Sequence, residues 1–128
     1  MLGFDTDITS ALRSISVDLA DVYSPPRVAV EAAKKGLKVG ESMDLTTGWD
    51  FRAAEHRKLA REYVDAHKPK LLIGSPMCTM FSTLQHLSGW GEDKQRRWCE
   101  AELHIQFVCE LYEQQLKEGR WFLHEHPA

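Results

Sequence analysis

No apolar run in this sequence approaches the ~20 residues that a bilayer-spanning helix needs, and no basic flank followed by an apolar core opens it. The sequence therefore reads as that of an intracellular protein, cytoplasmic or nuclear, without a membrane partner. Its three cysteines, Cys78, Cys99 and Cys109, form no C-x-x-C pair, and an odd count without a leader points to reduced thiols rather than a disulfide framework. Neither sign of charge is in large excess. Sixteen Lys and Arg against nineteen Asp and Glu leave a net charge of -3, so no global field draws the chain toward nucleic acid. That weighs against an autonomous DNA or RNA binder, although local basic faces stay open. Internal repeats and low-complexity linkers are also missing. At 128 residues the chain is long enough for one domain with a real core and too short for two ordinary ones.

What is present is alternation. Residues 1–16 read as a peripheral segment, with a short helix from Ile8 to Ile15 after Asp7. Residues 17–128 read as one α/β domain. Val17 to Tyr23 is a strand stopped by Ser24-Pro25-Pro26, and Val28 to Lys35 a helix ended by Gly36. Leu37 to Met43 is a second strand, weakened by Gly40, and Asp44 to Asp50 is loop. Arg52 to His67 is helical. Lys70 to Ile73 is a short buried strand ending at Gly74-Ser75-Pro76, and Thr79 to Leu87 suits a short helix. From Glu92 to Lys117, Trp98, Ala101, Ile105, Val108, Tyr112 and Leu116 step by three and four, with His104, Phe107 and Leu111 widening the stripe. Cys109 adjoins that stripe beside Val108 and should be buried, whereas Cys99 is the more exposed thiol. Gly119 ends that helix and Trp121-Phe122-Leu123 begins a last strand. Such an order predicts a mostly parallel, Rossmann-like sheet flanked by helices, with ligands at the carboxyl ends of its strands. The clusters at Tyr23–Arg27, Gly74–Cys78 and His124–Pro127 should then converge on one rim.

Four groups on that rim carry chemistry. Cys78 follows a buried strand and precedes a short helix, whose N-terminal dipole favours a nucleophilic thiolate; a small buried core thiol is the alternative. Glu125 leaves a strand expected to be buried and, if partly desolvated, can donate a proton; otherwise it is a solvated loop carboxylate. His124 and His126 alternate off that strand and point opposite ways, so no metal is expected. Asp44 follows the second strand, where doubly wound folds hold ribose hydroxyls. Asp50, beside Trp49 and Phe51, can accept from an adenine amino group or cap the helix ahead of Arg52. The basic groups around Arg52 to Arg61 and Lys94 to Arg97 are interspersed with acids, which leaves DNA as a weakly signalled partner.

Gly74-Ser75-Pro76-Met77-Cys78-Thr79-Met80-Phe81-Ser82 resembles the catalytic loop of cytosine-5 DNA methyltransferases, commonly G-P-P-C-Q-x-F-S. Phe122 to His126 resembles their next acidic motif, E-N-V, and Asp21-Val22-Tyr23-Ser24-Pro25-Pro26 stands where they have D-L-F-x-G-x-G. Y-S-P-P-R, D-L-T-T-G-W-D-F, S-P-x-C-T-x-F-S and H-E-H-P together resemble methyltransferase-like domains of retroelement-type polyproteins. The resemblance implies S-adenosylmethionine as cofactor, Cys78 as the nucleophile toward C6 of a flipped-out cytosine, and Glu125 as the N3 partner. It places Tyr23 and Ser24 in the cofactor loop, Asp44 at the ribose and Asp50 near the adenine. It covers roughly Asp18 to Pro127, with departures. The glycine-rich loop is replaced by Ser24-Pro25-Pro26-Arg27, Met77 stands for the second proline, Thr79 for glutamine and His126 for asparagine. The later strands and the target-recognition region have no counterpart, so the sheet is expected to be truncated, the cofactor-side half of a domain incomplete for independent catalysis. A homo-oligomer or a missing C-terminal half would complete it. A catalytically silent binding or assembly module on this scaffold is the alternative, and a cysteine hydrolase pairing Cys78 with His86 or His124 is a third reading.

Overall fold

The computed structural model describes residues 16–76 and 91–125. Four strands form one parallel sheet: β1 (Leu19–Val22), β2 (Val39–Met43), β3 (Leu71–Gly74) and β4 (Trp121–His124). Helix α1 (Arg27–Lys34) joins β1 to β2, α2 (Ala54–His67) joins β2 to β3, and α3 (Glu92–Lys117) precedes β4. The α/β architecture read from the alternation is the one observed, with element ends displaced by at most two residues.

The spatial order is β2-β1-β3-β4. The chain steps from β1 to β2, then returns past β1 to place β3 on its other side. That reversal is the switch point of a doubly wound sheet, and it opens a crevice at the carboxyl ends of β1 and β3. All four residues of β1 are buried, as a central strand covered on both faces requires.

Alternation along the strands sorts the two faces. Ala20, Val22 and Leu72 point toward α2 and α3, where they pack with Ala60, Val64, Phe107, Val108, Leu111 and Tyr112. Leu19 and Ile73 point the other way, against Ala29 and Ala32 of α1. Gly40, which weakens β2 as a strand by propensity, is explained by this packing: a Cβ there would lie 2.3 Å from the Tyr63 hydroxyl. Gly74 closes β3 for the same reason, since its Cβ would meet the Tyr112 hydroxyl at 1.9 Å.

Three readings of the sequence need correction. Leu116 is 58% exposed, and Gln115 takes the buried place on α3. Its amide donates to the carbonyls of Pro69 (2.9 Å) and Trp121 (2.8 Å), and its oxygen accepts from Arg120 Nε (2.9 Å). A side chain that satisfies three partners is tolerated in a core where an unpaired one is not. Cys109, expected to be buried beside Val108, is exposed like Cys99, because one further residue rotates it to the side of Glu110. The last strand is an edge strand with exposed side chains rather than a buried one.

Candidate functional site

The left-handed backbone of Tyr23 starts the site. This residue directly follows β1 with φ 64°, a conformation costly for a non-glycine side chain, and it throws the ring over the carboxyl edge of the sheet. The tyrosyl hydroxyl shares a 2.8 Å hydrogen bond with Nδ1 of His104 on α3. Phe51 packs on the other side of the ring at 5.0 Å and carries the aromatic contact on to Phe107 at 4.9 Å. Burial raises the Tyr23 phenol above its ordinary 10, opposed by the charge of Arg57. Burial likewise lowers the His104 imidazole below 6.5, against the pull of Glu100 and Asp50. Both groups are therefore neutral at pH 7.

A cavity of about 250 Å³ opens beside this pair. Tyr23 from β1, Asp44 and Leu45 after β2, the Trp49–Arg52 turn, Pro76 after β3, and Glu100, Ala101, His104 and Ile105 from α3 line it. It sits at the carboxyl edge, where the strand order reverses. The lining carries three carboxylates, Asp44, Asp50 and Glu100, against one guanidinium, Arg52.

Three of the four residues assigned to the cofactor by resemblance thus share one cavity: Tyr23, Asp44 and Asp50. Asp44 also caps the short 3-10 turn Leu45–Thr47, accepting from Thr46 N (3.2 Å) and Thr46 Oγ1 (2.8 Å). Both bonds use Oδ2, and the carboxylate also accepts from the Thr47 backbone in a capping box. Asp50 is held in a fork by Arg52, at 3.0 Å from Nε and 2.8 Å from Nη2, and also accepts from the Arg52 amide at 3.1 Å. Those bonds bring its carboxyl down to about 2. Asp50 does not cap α2, whose N-cap is Ala53 without a side-chain hydrogen bond; its bond to the Arg52 amide closes the turn that precedes the helix. Ser24 does not line the cavity; its hydroxyl turns back to the Pro25 carbonyl at 3.1 Å.

Cys78 and His126 lie outside the described residues, as do the segments Ile8–Ile15 and Thr79–Leu87. Glu125 lies at the same edge as Tyr23 and Pro76, directly after β4. It is exposed, in keeping with the solvated alternative, and accepts a long 3.4 Å hydrogen bond from Ser75 Oγ. His124 faces α3, with Nδ1 2.7 Å from the Tyr112 hydroxyl.

Sequence reasoning missed Glu100, His104 and Asp21. His104 stands in the apolar stripe of α3, four residues after Glu100, and a half-buried polar ring there was the available signal. Asp21 on β1 is 1% exposed; Oδ2 accepts from Ser42 Oγ at 3.1 Å, while Oδ1 is buried without a partner among the described residues. Desolvation raises its pKa, the Ser42 bond opposes this, and the charge of Glu125 adds to the rise. No group of three His, Cys, Asp or Glu arranged to hold a metal occurs among the described residues, and no described helix is long and apolar enough to cross a membrane. No protein family, curated protein or solved structure matches the chain.

Proposed function

We propose that this chain is the cofactor-side half of a cytosine-5 DNA methyltransferase-like domain and that its carboxyl-edge cavity receives the adenosyl end of S-adenosylmethionine. The observation that carries the reading is the meeting of Tyr23, Asp44 and Asp50 in one cavity at the switch point of a parallel sheet. Its electrostatics select further. Three carboxylates against one guanidinium already held by Asp50 repel a polyphosphate and attract a cation, and Trp49 and Tyr23 offer ring faces to one. A sulfonium ligand fits that field; a dinucleotide or ATP does not.

When bound, the cofactor supplies an electrophilic methyl group. The Asp44 carboxylate, on the cavity wall, would accept from ribose hydroxyls, and Trp49 would cover the adenine. In the target half-reaction the Cys78 thiolate adds to C6 of cytosine, Glu125 hydrogen-bonds or protonates N3, and C5 becomes the nucleophile for the methyl. Loss of the C5 proton then expels the thiolate. DNA is the substrate in this reading, and with a chain charge of -3 its grip belongs to the complementing half or to a second copy.

The test is calorimetric titration of the chain with S-adenosylmethionine, S-adenosylhomocysteine and ATP. The reading requires the sulfonium to bind best, and Asp44→Ala to weaken it by about 1–3 kcal/mol, the cost of a lost buried hydrogen-bond partner. Tighter binding of ATP would overturn the charge argument. No binding of any of the three would favour a silent assembly module, a reading to which the engagement of Asp50 by Arg52 already lends weight.

A further inference from the structure

Of the carboxylates on the cavity wall, Asp44 and Asp50 are already engaged within their own turns. Asp44 caps Leu45–Thr47, and Asp50 is forked by Arg52. Glu100 is placed differently. It stands on α3 one turn before His104, with its side chain 35% exposed, and its charged neighbours stop short of it. Arg52 Nε lies 4.0 Å from Glu100 Oε1, and His104 Nε2 lies 3.9 Å from the same oxygen. Both separations exceed hydrogen-bond reach, so the Glu100 charge is only loosely balanced. Its imidazole neighbour does not balance it, since burial keeps His104 neutral at pH 7.

Arg52 is the one guanidinium or ammonium group among the described residues of that wall. Its backbone is pinned, because Arg57 Nη1 donates to the carbonyls of Phe51 (2.7 Å) and Arg52 (3.0 Å), and the Phe51 ring packs between Tyr23 and Phe107. Its side chain is 62% exposed, and an exposed ion pair holds a side chain only weakly. What can yield to a ligand here is therefore the guanidinium and not the turn.

We propose that Glu100 is a subsite for an organic cation, a sulfonium or quaternary ammonium group, and that the Arg52 guanidinium is its internal competitor. The proposal rests on the cofactor reading for the identity of the natural ligand, but not for the charge of the subsite. The wall selects the kind of cation. Leu45, Pro76, Ala101 and Ile105 make much of the remaining lining apolar, and Trp49 and Tyr23 add ring faces. A metal ion prefers several oxygens around it, whereas an alkylated cation buries its methyl groups against such a wall and needs one carboxylate.

Two pairs of probes test the subsite on the full chain, followed by nuclear magnetic resonance at the Trp49 indole. Choline is compared with dimethylbutanol, its uncharged carbon isostere, and S-adenosylmethionine with S-adenosylhomocysteine, which lacks the charge at sulfur. Choline should bind more tightly than the isostere. Glu100→Gln should weaken choline about three- to tenfold, the weight of one part-desolvated charge contact, without a matching effect on the isostere. Arg52→Gln should strengthen choline by a similar factor, the opposite of what a ligand-holding arginine would do. Both variants should keep the circular dichroism spectrum of the parent. The proposal is overturned if choline has no advantage over the isostere, absence of binding included. It is also overturned if Glu100→Gln leaves choline binding unchanged, or if Arg52→Gln fails to strengthen it. The adenosyl pair reports on the cofactor reading separately. If neither adenosyl ligand binds while choline responds to both variants as expected, the cofactor reading fails and the subsite stands. If S-adenosylmethionine binds and is indifferent to Glu100→Gln, the subsite fails and the cofactor reading stands.

Discussion

The Tyr23 hydroxyl and His104 Nδ1, 2.8 Å apart and 81 residues distant in sequence, tie the end of the first strand to the middle of the long helix across the floor of the cavity. His104 Nε2 lies 3.9 Å from Glu100, so the arrangement is self-consistent when Nε2 carries the proton and Nδ1 accepts from the phenol. Tyr23→Phe keeps the ring and removes the bond, leaving a half-buried acceptor unpaired. It should cost about 1–2 kcal/mol in urea-induced unfolding. Tyr23→Gly, which relaxes the φ of 64° but deletes the ring, should cost more and abolish ligand binding.

Acid should weaken the fold through His104. Its imidazole is lowered below 6.5 by burial in the folded state, so near that pH the unfolded chain binds the extra proton and the folded chain does not. Stability is therefore complete above 6.5 and falls as the pH drops from there toward the folded value. Thermal melts between pH 7 and pH 5 should show the decline, and His104→Gln should flatten it.

Asp21 titrates with the opposite sense. Its folded pKa is raised above 3.8, chiefly by desolvation, so the neutral acid is favoured in the fold and stability is lost as the pH climbs from 3.8 through the folded value. Asp21→Asn keeps the shape and supplies a neutral group. Urea unfolding at pH 7 should find the variant at least as stable as the parent; a loss of about 2 kcal/mol or more, the cost of breaking a satisfied charged network, would mean that the ionised carboxylate is held by a partner.

Packing against Tyr112 makes Gly74 the least replaceable residue of β3. Gly74→Ala would drive a methyl group into the Tyr112 hydroxyl, and the loss should be about 1–3 kcal/mol, as for other overpacked cores. Adding Tyr112→Phe should restore only part of it, because the Cζ ring carbon would still stand 2.8 Å from the new methyl.

Much of this architecture was legible because its signals are local. Breakers at Pro25-Pro26, Gly36 and Gly74-Ser75-Pro76 bounded the strands, and the three- and four-residue stepping of α3 gave that helix its observed ends. Parallel strands alone placed Tyr23 at the carboxyl edge; Asp44 came from the ribose position after the second strand, and Asp50 from the resemblance and its neighbouring rings. What escaped depends on distant partners. Gln115 reads as a surface residue until the carbonyls of Pro69 and Trp121 arrive from other segments. Cys109 reads as core because it adjoins the stripe, and one residue of rotation takes it out. Glu100 and His104 belong to the cavity only because α3 crosses the end of β1, a packing detail that helical periodicity does not encode. The exposure of Trp121–Leu123 was hidden for a related reason, since an apolar triplet reads alike at the centre and at the margin of a sheet.

The Gln115 clamp has a consequence for how such a chain can diversify. Its three hydrogen bonds gather the entry to β3, the entry to β4 and the exit of α3 at the end of the sheet opposite the cavity. Integrity is thereby anchored at one pole, while the turns that meet a ligand hang from the other. Loops grafted or lengthened at the cavity pole should leave the anchoring pole untouched, so new ligand preferences can be tried there on a scaffold that keeps its shape.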